Sequence, residues 1–150
     1  MYEAEAEAAR QHSFTIGLID HEALVSDENA QAAISANESF AKPQKALYRG
    51  WMMTTRAYAN LYEALKSNNI HLITCPRAYE LCHHLPSSYG LIAGLTPDTL
   101  WFEYDGTPDW EVLFARLTQF GDKSLVLKDY VKSQKHYWHE ACFIPKASDK

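Results

Sequence analysis

The chain has 150 residues and a net charge of −5, with 47% hydrophobic and 22% charged residues, which is typical of a soluble globular protein of one domain. No apolar run approaches the roughly 18 residues of a membrane span, and the acidic, alanine-rich start is unlike a secretory signal peptide. Three scattered cysteines, Cys75, Cys82 and Cys142, are too few for a disulfide framework, which favours a cytoplasmic protein with reduced thiols.

The charge is unevenly distributed along the chain. Residues 1–40 carry eight acids and one base, whereas residues 123–150 carry six lysines and three acids. A protein that binds duplex nucleic acid without sequence preference is usually basic over a whole face, so we expect no nucleic-acid partner. Positive charge confined to one segment suits a small anionic ligand better.

The first half of the chain alternates predicted strands and helices. The apolar run at 13–24 predicts a strand, residues 27–40 predict a helix, and residues 45–50 predict a short strand. The clearest helix follows at 54–69, where a threonine can cap the start and four apolar residues share one face: Tyr58, Leu61, Tyr62 and Leu65.

The second half continues the alternation. Residues 70–75 predict a strand, and Pro76 opens a helix whose expected apolar face is Ala78, Leu81, Cys82 and Leu85. Further strands are predicted at 96–106, 124–131 and 140–145, with a helix at 108–121 between the first two. This order of strands and helices, joined by short loops, predicts an α/β architecture.

The cations of the C-terminal segment lie in "LVLKDYVKSQKHYWHEACFI" (125–144). Lys128 ends a predicted strand, and α/β proteins bind ligands outside the carboxyl ends of their strands. Lys132 and Lys135 follow on the loop, so three ammonium groups could hold a phosphate, each charge-assisted hydrogen bond contributing about 1.5–3 kcal/mol. The alternative is a solvated basic loop, and the glycines of a P-loop are absent.

Arg49 lies at the end of a predicted strand and has two interpretations. It is either a structural arginine paired with a backbone carbonyl or an acid, or an anion contact at the crevice edge. Both use the same position, so the sequence leaves the choice open.

Histidines and cysteines form two clusters that could supply zinc ligands. One is the H-x-x-H-x-x-C pattern of His136, His139 and Cys142, and the other is the run Cys82–His84. Neither spacing matches a usual structural zinc site, so no metal site is predicted. A Cys/His hydrolase is also disfavoured, because no nucleophile-elbow or catalytic-cysteine signature is present.

Three stretches together resemble the ATP-grasp superfamily, and more narrowly the clade named for one arginine and two lysines. They are "ALYRGWMMT", "LITCPRAYELCHHLPSSY" and "LVLKDYVKSQKHYWHEACFIP", and the resemblance covers roughly residues 13–149. It implies a pre-ATP-grasp α/β domain at 1–94 and a first ATP-grasp subdomain at 95–150 that is incomplete at its C-terminus.

The resemblance also implies roles for individual residues. Lys128 would contact the nucleotide phosphates, and Lys132 would be the second lysine of the clade, on the phosphate-covering loop with Lys135. His83 or His84 stands where many ATP-grasp proteins carry an earlier phosphate-binding lysine, with His84 taken as the candidate, and Arg49 is a candidate for the arginine of the clade.

The chemistry implied by the resemblance is ATP-dependent ligation. ATP activates a small-molecule or peptide carboxylate as an acyl-phosphate, which an amine or thiol attacks, with Mg²⁺ offsetting phosphate charge. The metal ligands of such proteins lie in a second subdomain that the sequence does not reach, so we expect an N-terminal portion that is inactive by itself. The alternative is a non-catalytic binding or assembly module, and an exposed last strand predicts a homodimer.

Overall fold

The computed structural model describes residues 2–26, 28–103, 106–131 and 142–148, and the chain divides into two compact units, Met1–Glu80 and Leu81–Lys150. The elements of the first unit, the last of which runs past its end, are α1 (Glu3–Gln11), α2 (His21–Val25), α3 (Ala30–Ala33), β1 (Gln44–Ala46), α4 (Thr55–Ser67), β2 (Ile70–Leu72) and α5 (Pro76–His83). The second unit contains α6 (Leu85–Ile92), α7 (Trp110–Leu117), β3 (Leu125–Val126), β4 (Phe143–Ile144) and 3₁₀ turns at Ala93–Leu95 and Thr118–Phe120.

The first unit contains a β-α-β arrangement. β1 and β2 pair in parallel, with Gln44 opposite Ile70 and Ala46 opposite Leu72, and α4 connects them. The predicted helix at 54–69 is confirmed: the Thr54 hydroxyl accepts a hydrogen bond from the Ala57 amide at 3.2 Å, as an N-cap should.

The core of the first unit forms around the apolar face of α4. Tyr58, Leu61 and Leu65 are buried there as their spacing predicts, with Leu61 fully inaccessible. Residues from α2, α3, β2 and α5 complete the cluster: Leu24, Ala33, Ile34, Leu72 and Tyr79. On α5 the buried residue is Tyr79, not the expected face of Ala78, Leu81, Cys82 and Leu85.

The strand predicted at 13–24 is wrong. The segment 14–20 has no regular structure, and α2 follows, with the Asp20 carboxylate accepting hydrogen bonds from the Glu22 and Ala23 amides at 3.0 and 3.1 Å. A side chain takes the place of a neighbouring strand, because Asn37 accepts from the Leu18 amide at 2.9 Å and donates to the Leu18 carbonyl at 2.6 Å.

The second unit has one antiparallel strand pair among its described residues. β3 and β4 pair with Leu125 opposite Ile144 and Val126 opposite Phe143, which confirms strands within 124–131 and 140–145. The helix predicted at 108–121 is confirmed as α7 and its 3₁₀ turn. It starts at Asp109, whose side chain accepts from Val112 at 3.1 Å.

The strand predicted at 96–106 is wrong for residues 96–103, which the structure describes without regular secondary structure. The described chain therefore has two short strand pairs, one parallel and one antiparallel, in place of the continuous alternation predicted. The ATP-grasp assignment of the fold and its boundary near residue 94 stay predictions. Within the described ranges, no helix is both long and apolar enough to cross a membrane.

Candidate functional site

The lysine predicted to contact phosphate lies directly after β3. The Leu127 amide donates to the Cys142 carbonyl at 2.7 Å, which extends the β3–β4 pairing by one residue and fixes the backbone beside Lys128. The Lys128 side chain is exposed, and none of the described acids pairs with its ammonium group. Lys128 is therefore placed to meet an anion from solvent.

The backbone after Lys128 turns at once. The Asp129 carboxylate accepts a hydrogen bond from the Val131 amide at 2.8 Å, an interaction that stabilises a tight turn. The nearest acid in sequence is thus engaged by the backbone, and Lys128 projects from the point where the strand gives way to this turn.

The structure brings His84 to the same turn. The His84 ring meets the Tyr130 ring edge-on, with centroids 4.7 Å apart and an interplanar angle of 89°. The Leu85 amide donates to the Tyr130 carbonyl at 3.1 Å. The start of α6 therefore lies against the residue two positions beyond Lys128. The resemblance had implied a role for His84, but periodicity and spacing gave no signal for this contact.

The other loop residues of interest lie outside the described residues, namely Lys132, Lys135, His136 and His139. Cys142, the last member of the H-x-x-H-x-x-C pattern, is buried with 2% of its surface exposed. Among the residues that the structure describes, no group of three or more His, Cys, Asp or Glu side chains is placed to hold a metal ion.

Arg49, in the first unit, is paired with an acid. Its Nε and Nη2 atoms donate to the two carboxylate oxygens of Glu5 at 2.9 and 3.0 Å, and the Tyr2 ring centroid is 5.7 Å from the guanidinium carbon. The hydrogen bond and the charge of Glu5 raise the pKa of Arg49. The pair is exposed, with 69% of the Arg49 side chain accessible.

The half-buried Tyr48 and the buried Tyr79 fix the loop that carries Arg49. The Tyr48 hydroxyl donates to the Trp51 carbonyl at 2.6 Å. The Tyr79 hydroxyl binds both backbone groups of Met53, accepting from the amide at 3.0 Å and donating to the carbonyl at 3.2 Å. Tyr58 stacks on Tyr79 with ring centroids 3.8 Å apart. Burial is the main reason that the pKa of Tyr48 rises to about 12.

Sequence reasoning missed this tyrosine cluster. Tyr58 was placed on the core face of α4, but nothing linked it to tyrosines 10 and 21 residues away. A usable signal is that a buried tyrosine needs a partner for its hydroxyl, and an irregular loop with unpaired backbone groups supplies one.

Two open depressions lie elsewhere, and neither contains a predicted site residue. One in the first unit, of about 560 Å³, has acids and amides in its lining: Glu28, Asn29, Gln31, Asn60 and Glu63. Both of its acids are paired, Glu28 with Arg56 and Glu63 with Lys66. The other, of about 370 Å³ in the second unit, includes the Lys123–Asp98 pair at 3.8 Å.

Comparison with known proteins gives no match: no family model, no curated protein and no solved structure matches the chain.

Proposed function

We propose that the segment around Lys128 binds the phosphate groups of ATP, and that the chain is the N-terminal portion of an ATP-grasp protein. The observation that carries the proposal is an exposed lysine, with no described acid paired to it, directly after a strand whose pairing fixes the backbone beside it. Two supports come from the sequence: the further lysines at 132 and 135 and the family resemblance.

A fixed backbone matters because an ammonium group on a long side chain loses conformational entropy when it binds. The β3–β4 pairing and the Asp129 turn fix the backbone on both sides of Lys128, so the backbone share of this entropy cost is already met before the ligand arrives. His84, packed against Tyr130, lies on the same turn and would be a second contact for a phosphate oxygen.

In the reaction that the resemblance implies, a carboxylate attacks the terminal phosphate of ATP, forming an acyl-phosphate and releasing ADP. An amine or thiol then displaces phosphate. Bound Mg²⁺ would offset the negative charge of the phosphates. The contribution proposed for this chain is to hold phosphate oxygens through Lys128 and the loop lysines, with Arg49 a more distant candidate in sequence.

ATP binding to single-lysine variants tests the proposal. We expect Lys128→Ala to weaken ATP binding about tenfold or more, since it removes a charge-assisted contact, and Lys132→Ala to weaken it in the same direction. Lys123→Ala is the matched control, because Lys123 precedes β3 and pairs with Asp98. Isothermal titration calorimetry with and without Mg²⁺ measures the affinities.

Comparison with Lys123→Ala shows which results would contradict phosphate binding by Lys128 and Lys132. Unchanged affinity in both Lys128→Ala and Lys132→Ala, or an equal loss in Lys123→Ala, would show that these lysines make no specific contact. Lys123 and Lys128 are exposed, so circular dichroism should show unchanged folding in Lys123→Ala and Lys128→Ala.

The second candidate function is a non-catalytic binding or assembly module with the same fold. It is favoured by exposed apolar side chains in the second unit, which a partner would cover: Trp101, Trp110, Val126, Leu127 and Tyr130. Neither candidate predicts ADP formation by this chain alone, so ATP affinity separates the two. Loss of ATP binding in Lys128→Ala supports the ATP-grasp portion, whereas a wild-type chain that binds no ATP supports the module.

A further inference from the structure

We propose that Arg49 is a binding site for an oxyanion, and that α1 carries its intramolecular competitor, the carboxylate of Glu5. Removal of Glu5 from Arg49 would open the site and release α1. The proposal goes beyond ATP binding at Lys128, because it extends Arg49 from a candidate contact of the ATP phosphates to a separate oxyanion site and needs no residue of the Lys128 segment.

The contact itself shows the kind of ligand that Arg49 accepts. Two parallel hydrogen bonds, of 2.9 and 3.0 Å, join the Arg49 guanidinium to both oxygens of Glu5. A planar guanidinium makes this two-point contact with carboxylates and phosphates. The Glu5 carboxylate, from a distant segment of the chain, thus makes the contact that the carboxylate or phosphate of a free ligand would make.

The position of Arg49 is fixed by interactions that the ion pair does not need. Tyr48 bridges to the Trp51 carbonyl across Arg49 and Gly50, and Tyr79 holds both backbone groups of Met53. This loop follows β1, one of two parallel strands, at the edge where α/β proteins bind ligands. A preorganised loop presents Arg49 whether or not Glu5 is bound.

The helix that brings Glu5 is held lightly. None of the residues of α1 is buried, and the Glu5–Arg49 pair is exposed, with 51% of the Glu5 side chain accessible. Exposed ion pairs contribute little to stability. An anion with two adjacent oxygens can therefore replace Glu5 at small cost, and α1 leaves with it.

The decisive experiment follows the Arg49 Nε–Hε resonance by NMR while inorganic phosphate or succinate is added at constant ionic strength. If Glu5 occupies Arg49 in most molecules, Glu5→Gln should tighten anion binding about fivefold, because the competent state is no longer in the minority. Arg49→Lys should weaken binding, since an ammonium group cannot make the two-point contact.

Glu7→Gln is the matched control. It removes the same charge from the same helix, but Glu7 pairs with Arg10 and not with Arg49. Equal tightening in Glu5→Gln and Glu7→Gln would overturn the proposal, because it would show a general charge effect. So would an Arg49 resonance that neither anion shifts in Glu5→Gln.

Hydrogen exchange of the α1 amides gives a second readout. We expect the anion that shifts Arg49 to speed exchange across Glu3–Gln11 in the wild type, and to have no such effect in Arg49→Lys. A response to phosphate alone or succinate alone supports the site and identifies its ligand class. A normal Arg49 response with no ATP binding at Lys128 would leave this inference standing and refute only the ATP proposal.

Discussion

At the scale of single residues, buried phenol groups decide where the loop between β1 and α4 lies. A buried hydroxyl without a partner is costly, so Tyr48, Tyr58 and Tyr79 each bind a backbone group: the carbonyls of Trp51 and Thr74, and both groups of Met53. Tyr48 and Tyr79 thereby give the loop hydrogen bonds that no neighbouring strand provides, whereas Tyr58 binds the segment after β2.

Burial of Tyr48 has a consequence at alkaline pH. Its pKa is raised from 10.0 to about 12, so folding favours the neutral phenol. The resulting stability is complete below pH 10, and it is lost as the pH rises from 10 towards 12, because the unfolded chain ionises first. We expect a shallower fall of the urea midpoint over that range in Tyr48→Phe than in the wild type; parallel falls would contradict it.

The two described cations of the candidate sites differ in how far the sequence could predict them. The position of Lys128 followed from local information, because an apolar strand ends there and its pairing with β4 keeps it in place. The partner of Arg49 is 44 residues away, and no local pattern encodes such a distant contact. The sequence therefore predicted an acid as one possible partner of Arg49, but it did not identify Glu5.

At the scale of elements, two glycines differ in whether a side chain would fit. Gly50 lies in a turn that has no room for one, whereas Gly90 lies in a helix that has room. A Cβ on Gly50 would lie 2.5 Å from the Tyr48 hydroxyl oxygen, whereas nothing lies within 4 Å of one on Gly90, inside α6. We expect Gly50→Ala to lower the free energy of unfolding by about 1–3 kcal/mol and Gly90→Ala to raise it by about 0.5–1 kcal/mol.

Urea denaturation of both variants measures these free energies. Gly50→Ala should also free the Tyr48 ring, which near-ultraviolet circular dichroism would detect. Equal effects of the two substitutions would show that Tyr48 does not hold the turn.

Elements were predictable where two independent signals coincided. In α4 the apolar stripe and the Thr54 cap agree, and in α7 the Asp109 cap and the stop at Gly121 (φ of 56°) agree. The strand predicted at 70–75 contains β2, and the strand predicted at 45–50 overlaps β1 only at Lys45 and Ala46. Local propensity and tertiary packing favour the same structure at these places.

Elements were missed where one signal misled. The Glu-Ala alternation of α1 has the period of a strand, although both residues are strong helix formers, and α6 contains Gly90 and no clear stripe. The apolar run at 13–24 resembles a strand, but Asn37 supplies the hydrogen bonds that a strand would make. The Asp20 cap was the overlooked sign of α2.

At the scale of the whole molecule, unpaired strand edges are sites where two copies of a chain can pair. In the part of the second unit that the structure describes, β3 and β4 pair only with each other, so each leaves a free edge that another chain can pair with. Val126, on β3, is 53% exposed. The homodimer expected from the sequence stays a prediction, and these edges are where we expect it to form.

Analytical ultracentrifugation over a range of concentrations tests the dimer. We expect Val126→Lys to shift the equilibrium towards monomer, because a charged edge strand resists pairing. Val112→Lys is the matched control, since Val112 is 51% exposed on α7. A wild-type chain that stays monomeric at every concentration, or equal effects of the two substitutions, would contradict association through the strand edge.

The β-α-β unit was predictable at this scale because its two strands and helix are consecutive. The pairing of the remaining strands was not, since an alternation of strands and helices predicts parallel strands, whereas β3 and β4 are antiparallel. β3 and β4 pair across a segment of 16 residues, numbered 127–142, that carries its own functional signals.

The close approach of Gly17 to Asn37 couples the substitutions that these two positions can accept. A Cβ at position 17 would lie 2.5 Å from the Asn37 side-chain oxygen, the atom that holds the Leu18 amide. A larger residue at 17 is therefore compatible only with a different residue at 37. Descendants that gain a larger residue at 17 would therefore also change position 37, and the apolar run at 14–20 would keep its irregular path for as long as the pair persists.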